Sequence, residues 1–122
     1  MRIKKMNRDF SVCRVADYTL VNFNADYCFI EKTEEENSLV CMTEDVPANT
    51  TEREDGWKAF RIEGVLDFSL IGILAGIAGV LAEHGISIFA VSTYNTDYVL
   101  IKRESYGKAL EILGGAGYEI VE

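Results

Sequence analysis

The chain has 122 residues, of which 48% are hydrophobic, and it carries 20 acidic against 12 basic residues for a net charge of -8. This length suits one compact domain or two small ones, and the hydrophobic fraction is enough to build a core. The acidic balance argues against nucleic acid as a partner, because proteins bind phosphate backbones with clustered Lys and Arg.

The one basic cluster lies at the N-terminus and consists of Arg2, Lys4, Lys5 and Arg8. We interpret it as a solvated tail, since no aromatic ladder follows it. A secretory signal would continue with an apolar block, but polar residues stand at 7–9 instead. We therefore expect a cytoplasmic protein.

Three cysteines, Cys13, Cys28 and Cys41, are widely spaced, and each falls in a strand-like apolar run. Zinc sites use paired spacings such as C-x-x-C, and secreted disulfide frameworks use even numbers of cysteines. The cysteines are therefore interpreted as small buried hydrophobic residues. We expect neither a metal site nor a cofactor.

The first half of the chain predicts short strands joined by polar connections. Strands are expected at 9–15, 27–31 and 38–43, from their alternating or β-branched patterns. Residues 17–24 indicate a turn or a short helix, and 33–37 a charged hairpin connection. Residues 44–55 hold the only proline and are predicted as a loop or weak surface helix.

The longest apolar run follows a strand predicted at 57–65. Ser69, or Asp67 one turn earlier, can cap a helix beginning at Leu70. Large apolar residues recur there at helical spacing, while Gly and Ala make up the other face. We therefore expect this helix to be buried on two sides, one against a sheet and the other against a second helix or a second subunit. Its roughly thirteen apolar residues fall short of the ~20 that span a bilayer. Gly85 suits the left-handed residue that ends a helix, and Ile86 can pack back onto the last turn.

The remaining elements are two strands at 87–93 and 97–103, a helix from Ser105, and a last strand at 118–121. The turn between the two strands contains Asn95, which tolerates positive φ. From residue 57 onward the order is β-α-β-β-α-β, the ferredoxin-like α+β arrangement with two helices on one face of an antiparallel sheet. The first half resembles a degenerate copy of the same order of elements. We therefore predict two domains, 9–55 and 56–122.

The stretches 64–75 (GVLDFSLIGILA) and 86–100 (ISIFAVSTYNTDYVL) resemble the ACT domain. The likeness is to small stand-alone proteins with two ACT units, which are similar to the regulatory region of aspartokinase and to the cytosolic arginine sensor CASTOR. It is strong from residue 57 to the end of the chain. The resemblance implies a regulatory module that binds an amino acid or similar small effector where two units pair.

The same resemblance implies where the ligand site lies. It places the site at the first strand-to-helix loop and on the neighbouring strand end, which here are Val65, Leu66, Asp67, Phe68, Ser69, Leu70, Ser92, Thr93, Tyr94, Asn95, Thr96 and Asp97. Free amides at a helix start can bind a carboxylate, and loop carbonyls with Asp67 can bind an ammonium group.

Several of these residues have an equally simple structural interpretation. Asp67 or Ser69 can be a helix cap without binding a ligand, and Asp97 can close its turn by a local bond. Tyr94 is predicted as a packing or edge residue. His84 lies in the last helical turn, where the helix dipole favours a cation, and a structural role fits it better than catalysis.

The sequence therefore favours a non-catalytic regulatory protein that binds a small effector and forms a homodimer. The alternative is a protein-interaction module that has kept the fold without a ligand. An enzyme is the third hypothesis, but no nucleophile lies beside a base and no cofactor motif is present.

Overall fold

The computed structural model describes residues 1–63 and 72–122. The strands are β1 (Arg2–Val15), β2 (Cys28–Lys32), β3 (Asn37–Met42), β4 (Thr50–Ile62), β5 (Phe89–Ser92), β6 (Asp97–Lys102) and β7 (Glu119–Val121). The helices are α1 (Ile73–Glu83) and α2 (Arg103–Gly115), and a short 3₁₀ turn covers Thr43–Asp45. The chain divides into unit 1, residues 1–7 and 58–122, and unit 2, residues 8–57.

Unit 1 has the predicted βαββαβ order, formed by β4, α1, β5, β6, α2 and β7. Both helices contribute to the hydrophobic cluster that also contains sheet residues. Its fully buried members are Ile3, Phe60, Ile62, Ile77, Leu81, Val99, Ile101, Ala109 and Leu113. Because α1 and α2 share this cluster, they cover the same face of the sheet. The ferredoxin-like α+β fold is thereby confirmed.

The N-terminal residues form a strand, so their interpretation as a solvated tail is wrong. Ile3 and Met6 are buried in β1, and the Glu63 amide donates to the Arg2 carbonyl at 2.8 Å. Residues Arg2–Lys4 also pair in parallel with β7. The sheet is therefore not wholly antiparallel, because the start of β1 lies between β4 and β7.

The described part of helix α1 begins at Ile73, and Gly72 is its N-cap with φ 81°. The predicted cap residues Asp67 and Ser69, and the predicted helix start at Leu70, lie outside the described residues. The helix C-terminus is as predicted. Gly85 has φ 73°, the Ile86 amide donates to the Leu81 carbonyl at 3.0 Å, and Ile86 is buried.

One side of α1 is buried in the single chain, as expected, and burial of its other side against a second subunit stays a prediction. Ile77 and Leu81 are buried against the core. The small residues Ala75, Gly76, Gly79 and Ala82 are instead exposed. Ala75, Gly79 and Ala82 recur at helical spacing and form one open face, which we call the small-residue face of α1. Gly76 lies at its border, since a Cβ atom there would be 3.2 Å from the Tyr118 hydroxyl.

Unit 2, all of whose residues are described, consists of β2, β3 and the inner parts of β1 and β4, without an α-helix. The β2–β3 hairpin and its polar connection occur as predicted, with the Thr33 amide donating to the Glu36 carbonyl at 3.0 Å. Residues 17–24 form turns rather than a helix. The predicted loop ends early, because β4 begins at Thr50 and not at 57. That unit 2 is a degenerate ACT copy stays a prediction.

Candidate functional site

One half of the predicted ligand site, residues 92–97, is the turn that joins β5 to β6. Ser92 is the last residue of β5, Asp97 is the first of β6, and the two are direct partners in the antiparallel register. The Thr93 amide and its hydroxyl both donate to the Thr96 carbonyl, at 2.8 and 3.1 Å. The structure thus brings these residues into one tight turn.

Asn95 does not have the positive φ that the sequence suggested, since every described positive-φ residue is a glycine. The turn is closed by the Thr93 hydroxyl and backbone, so it needs no left-handed residue. A threonine at the first turn position was a usable signal, because short hydroxyl side chains make such local bonds.

Asp97 makes the local bond that was one of its two predicted roles. The Ser92 hydroxyl donates to the Asp97 carboxylate at 2.5 Å, while Asp97 itself is only half-buried. This bond orients the carboxylate at the strand end, where it also supplies negative charge. Tyr94, by contrast, is 80% exposed at the tip of the turn.

Thr96 fixes the turn to the strand that leads into the other half of the site. It is 8% exposed, and its hydroxyl donates to the Ile62 carbonyl at the end of β4 at 2.8 Å. Ile62 lies two residues before the segment 64–71. The turn therefore sits at the end of β4 from which the predicted ligand loop departs.

Replacing Thr96 with valine should lower the free energy of unfolding by about 1–3 kcal/mol, because the buried Ile62 carbonyl loses its donor. Urea titration followed by circular dichroism measures this. The matched control is Thr51→Val, whose exposed hydroxyl donates to the Arg14 carbonyl at 3.1 Å, and it should change stability by less than about 0.5 kcal/mol. Equal effects of the two variants would contradict the role assigned to Thr96.

The other half of the predicted site, Val65, Leu66, Asp67, Phe68, Ser69 and Leu70, lies outside the described residues. Its two flanks are described: β4 ends at Ile62, and α1 begins at Ile73. The first helical hydrogen bond runs from the Gly76 amide to the Gly72 carbonyl at 2.8 Å. The amides of Ile73, Leu74 and Ala75 therefore have no acceptor within the helix, and the positive end of the helix dipole faces this side.

His84 has the structural role that was predicted for it. It is the C-cap of α1, and its Nδ1 lies 3.0 Å from the Val80 carbonyl oxygen. The imidazole ring therefore donates to a carbonyl of the last helical turn, where a hydrogen-bond donor stabilises the C-terminal end of the helix.

A cavity of ≈ 440 Å³ in unit 1 was not predicted from the sequence. It is lined by Lys5, Met6, Asn7, Lys58, Tyr106 and Glu122. Lys5 Nζ lies 3.1 Å from a Glu122 carboxylate oxygen, and the Tyr106 hydroxyl donates to the Ala59 carbonyl at 2.6 Å. Burial raises the pKa of Tyr106, so its hydroxyl is protonated at neutral pH. The cavity was not predicted because Lys5 was assigned to a solvated tail. None of the residues 92–97 lines it.

Within residues 1–63 and 72–122, no helix is long and apolar enough to cross a membrane. The same part of the chain contains no cluster of three His, Cys, Asp or Glu side chains able to hold a metal ion.

The fold defines a ferredoxin-like α+β protein. A family model of the ACT domain matches residues 52–114, which is just over half of the 122-residue chain. The chain belongs to the ACT domain family. The matched range includes both halves of the predicted site.

The chain is also similar to individual known proteins. The chain is 41% identical over 58 residues to the cytosolic arginine sensor for mTORC1 subunit 1 of Homo sapiens, a stretch that covers 47% of this chain and 18% of that relative. The structure is similar to that of protein Atu0741 from Agrobacterium tumefaciens, with a TM-score of 0.86, 26% identity and coverage of 98% of this chain and 91% of that one. It also shares its fold with the aspartokinase alpha and beta subunits, with a TM-score of 0.62, 16% identity and coverage of 95% and 97%.

Proposed function

We propose that this protein is a non-catalytic regulatory ACT-domain protein that binds a free amino acid. The observation that carries the proposal is the ACT match across 52–114, which spans the loop and the turn together. The 41% identity to a protein named as an arginine sensor supports an amino acid as the class of ligand. That relative is named as cytosolic, which supports our placing this protein in the cytosol.

The chemistry of the flanking residues supports the same class of ligand. An amino acid carries a carboxylate and an ammonium group, so its site must offer donors and acceptors side by side. The amides at the start of α1 are donors with a favourable dipole, suited to the carboxylate. Carbonyls of the loop with Asp67 are the acceptors for the ammonium group, and the Asp97 carboxylate lies at the neighbouring strand end.

A second copy of the chain is the proposed partner. The small-residue face of α1 is exposed in the single chain. Gly and Ala allow two helix backbones to approach closely, so this face suits packing against its counterpart in a second copy. Ligand binding would then act by stabilising one arrangement of the pair over another. A ligand-free interaction module is the alternative function, and it uses this same face.

A thermal-shift screen of the purified chain against the common amino acids tests the proposal. A ligand at about 100 times its dissociation constant adds about 2.7 kcal/mol to the free energy of unfolding, which raises Tm by several degrees. We expect one amino acid to give a concentration-dependent shift. A flat screen on well-folded protein contradicts the ligand proposal and favours the interaction module.

Variants of the loop test where that ligand binds. Asp67→Asn and Ser69→Ala should abolish the ligand-dependent shift and leave the Tm of the ligand-free protein within a few degrees of the parent. Asp26→Asn is the matched control, since Asp26 is exposed and pairs with Arg8 in unit 2 at 3.6 Å. It should retain the full shift. A ligand response that survives both loop changes would place the ligand elsewhere.

A further inference from the structure

Three cysteines from distant parts of the sequence meet on neighbouring strands of unit 2. Cys13 lies on β1, Cys28 on β2 and Cys41 on β3. Cys28 and Cys41 are direct partners in the antiparallel register, whereas Cys13 pairs with Leu39. Direct partners, and residues two apart on a strand, share one face of a sheet. The three thiols therefore lie on the same face, in the cluster that holds Cys13, Leu39 and Cys41 with Cys28 packed against it.

The strand register shows which two of the three cysteines can form a disulfide. Direct partners on antiparallel strands have Cα atoms about 4.5–5.5 Å apart, which falls within the roughly 4.4–6.8 Å of disulfides. Cys28 and Cys41 meet this condition. Cys13 is diagonal to Cys41, where separations are about 7–8 Å, and a disulfide there requires backbone movement.

The surroundings of the three thiols differ. Cys13 is 4% exposed and Cys41 is 3% exposed, whereas Cys28 is partly exposed. The Cys41 thiol donates a hydrogen bond to Cys13, and this bond lowers the pKa of Cys13 and raises that of Cys41. Burial raises the pKa of Cys28. A reagent from solvent therefore reaches Cys28 first.

We propose that Cys28 and Cys41 are an oxidisable pair that forms a disulfide across β2 and β3, a modification site distinct from the ligand site. The oxidant is a small disulfide such as oxidised glutathione. The Cys28 thiolate attacks one sulfur of that disulfide, forms a mixed disulfide and releases the first glutathione thiolate. The released glutathione thiolate takes the proton of Cys41, whose sulfur then attacks the Cys28 sulfur and releases the second glutathione as a thiolate. Two protein thiols are oxidised, and one glutathione disulfide is reduced to two thiols.

The product is a covalent link within the β2–β3 hairpin. Such a link constrains the unfolded chain, so the oxidised protein should be the more stable form. The sequence concealed this pair, because 28 and 41 have no recognisable motif spacing and only the register of the hairpin brings them together.

Disulfide mapping by mass spectrometry on the full chain tests the proposal. The reduced protein is incubated with oxidised glutathione at mildly alkaline pH, alkylated after denaturation and digested without reductant. We expect the loss of two hydrogens, a peptide linked between Cys28 and Cys41, an alkylated Cys13, and a Tm that rises by several degrees and returns with reductant. A Cys13–Cys41 link, a lasting glutathione adduct on Cys28, or three alkylated cysteines each overturns the proposal.

Serine variants assign the roles of the three thiols. Cys28→Ser and Cys41→Ser should each abolish the link, and Cys13→Ser should keep it. Loss of the link in Cys13→Ser overturns the assignment of Cys28 and Cys41 as the bridged pair. The mapping on the unaltered chain remains decisive if a variant fails to fold.

Discussion

Replacing Phe60 with alanine is expected to lower the free energy of unfolding by about 3–5 kcal/mol, which is the cost of removing a buried phenylalanine and leaving a cavity. Phe60 lies on β4, is fully buried, and belongs to the cluster that joins both helices to the sheet of unit 1. Domains of this size are stable by only about 5–15 kcal/mol, so the variant should lose a large fraction of its stability. Urea unfolding followed by circular dichroism is the measurement.

The same substitution at Phe23 is the matched control. Phe23 is 64% exposed on a turn of unit 2, so Phe23→Ala removes the same atoms and leaves no cavity. It should change the free energy of unfolding by less than about 0.5 kcal/mol. If the two variants lose stability equally, Phe60 is not the centre of the core that we describe.

The sequence predicted best those parts of the fold in which residues close together in the chain supply both the backbone conformation and the apolar contact. The C-terminus of α1 is an example, because Gly85 supplies the positive φ and Ile86 supplies the apolar contact that such a helix end needs. The end of α2 follows the same rule, with φ 103° at Gly117 and the Tyr118 amide donating to the Leu113 carbonyl at 3.1 Å. Neither feature depends on distant residues, so the sequence contains the whole signal.

The errors occur where pairing with a distant strand overrides the local pattern. Residues 2–5 are mostly basic and 51–55 mostly charged, and neither segment has the apolar alternation that predicts a strand. Both are strands because their backbones pair with neighbouring strands: Arg2–Lys4 pair in parallel with β7, and β4, which contains 51–55, lies beside β1. Such pairing costs little even for polar side chains when they face solvent, and periodicity does not detect it.

In the candidate site, too, the local features were predictable from the sequence and the contacts between distant residues were not. The position of the turn 92–97 between two strands followed from its composition, but its link to β4 through Thr96 did not, because a lone threonine gives no sign of a partner 34 residues away. The loop 65–70 was chosen from the family resemblance. Its assignment as the ligand loop therefore stays a prediction that the loop variants test.

Substituting Gly79 with arginine is expected to convert the proposed dimer into a monomer without unfolding the chain. Gly79 is exposed on the small-residue face of α1, and a Cβ atom there would meet nothing within 4 Å. Arginine is also a better helix former than glycine by roughly 0.8 kcal/mol, so the isolated chain should not lose stability. At a close helix–helix interface, however, the long charged side chain would have to be buried or would hold the helices apart.

Gly107→Arg provides a control with the same chemical change on the other helix. Gly107 lies in α2, is exposed, and a Cβ atom added to it would likewise meet nothing within 4 Å. Sedimentation equilibrium should give twice the 13.6 kDa chain mass for the parent and for Gly107→Arg, and a single chain mass for Gly79→Arg. A monomeric parent at high concentration contradicts the dimer. A dimer that tolerates Gly79→Arg as well as Gly107→Arg contradicts the interface, because an arginine cannot be accommodated where two glycine-lined helices meet.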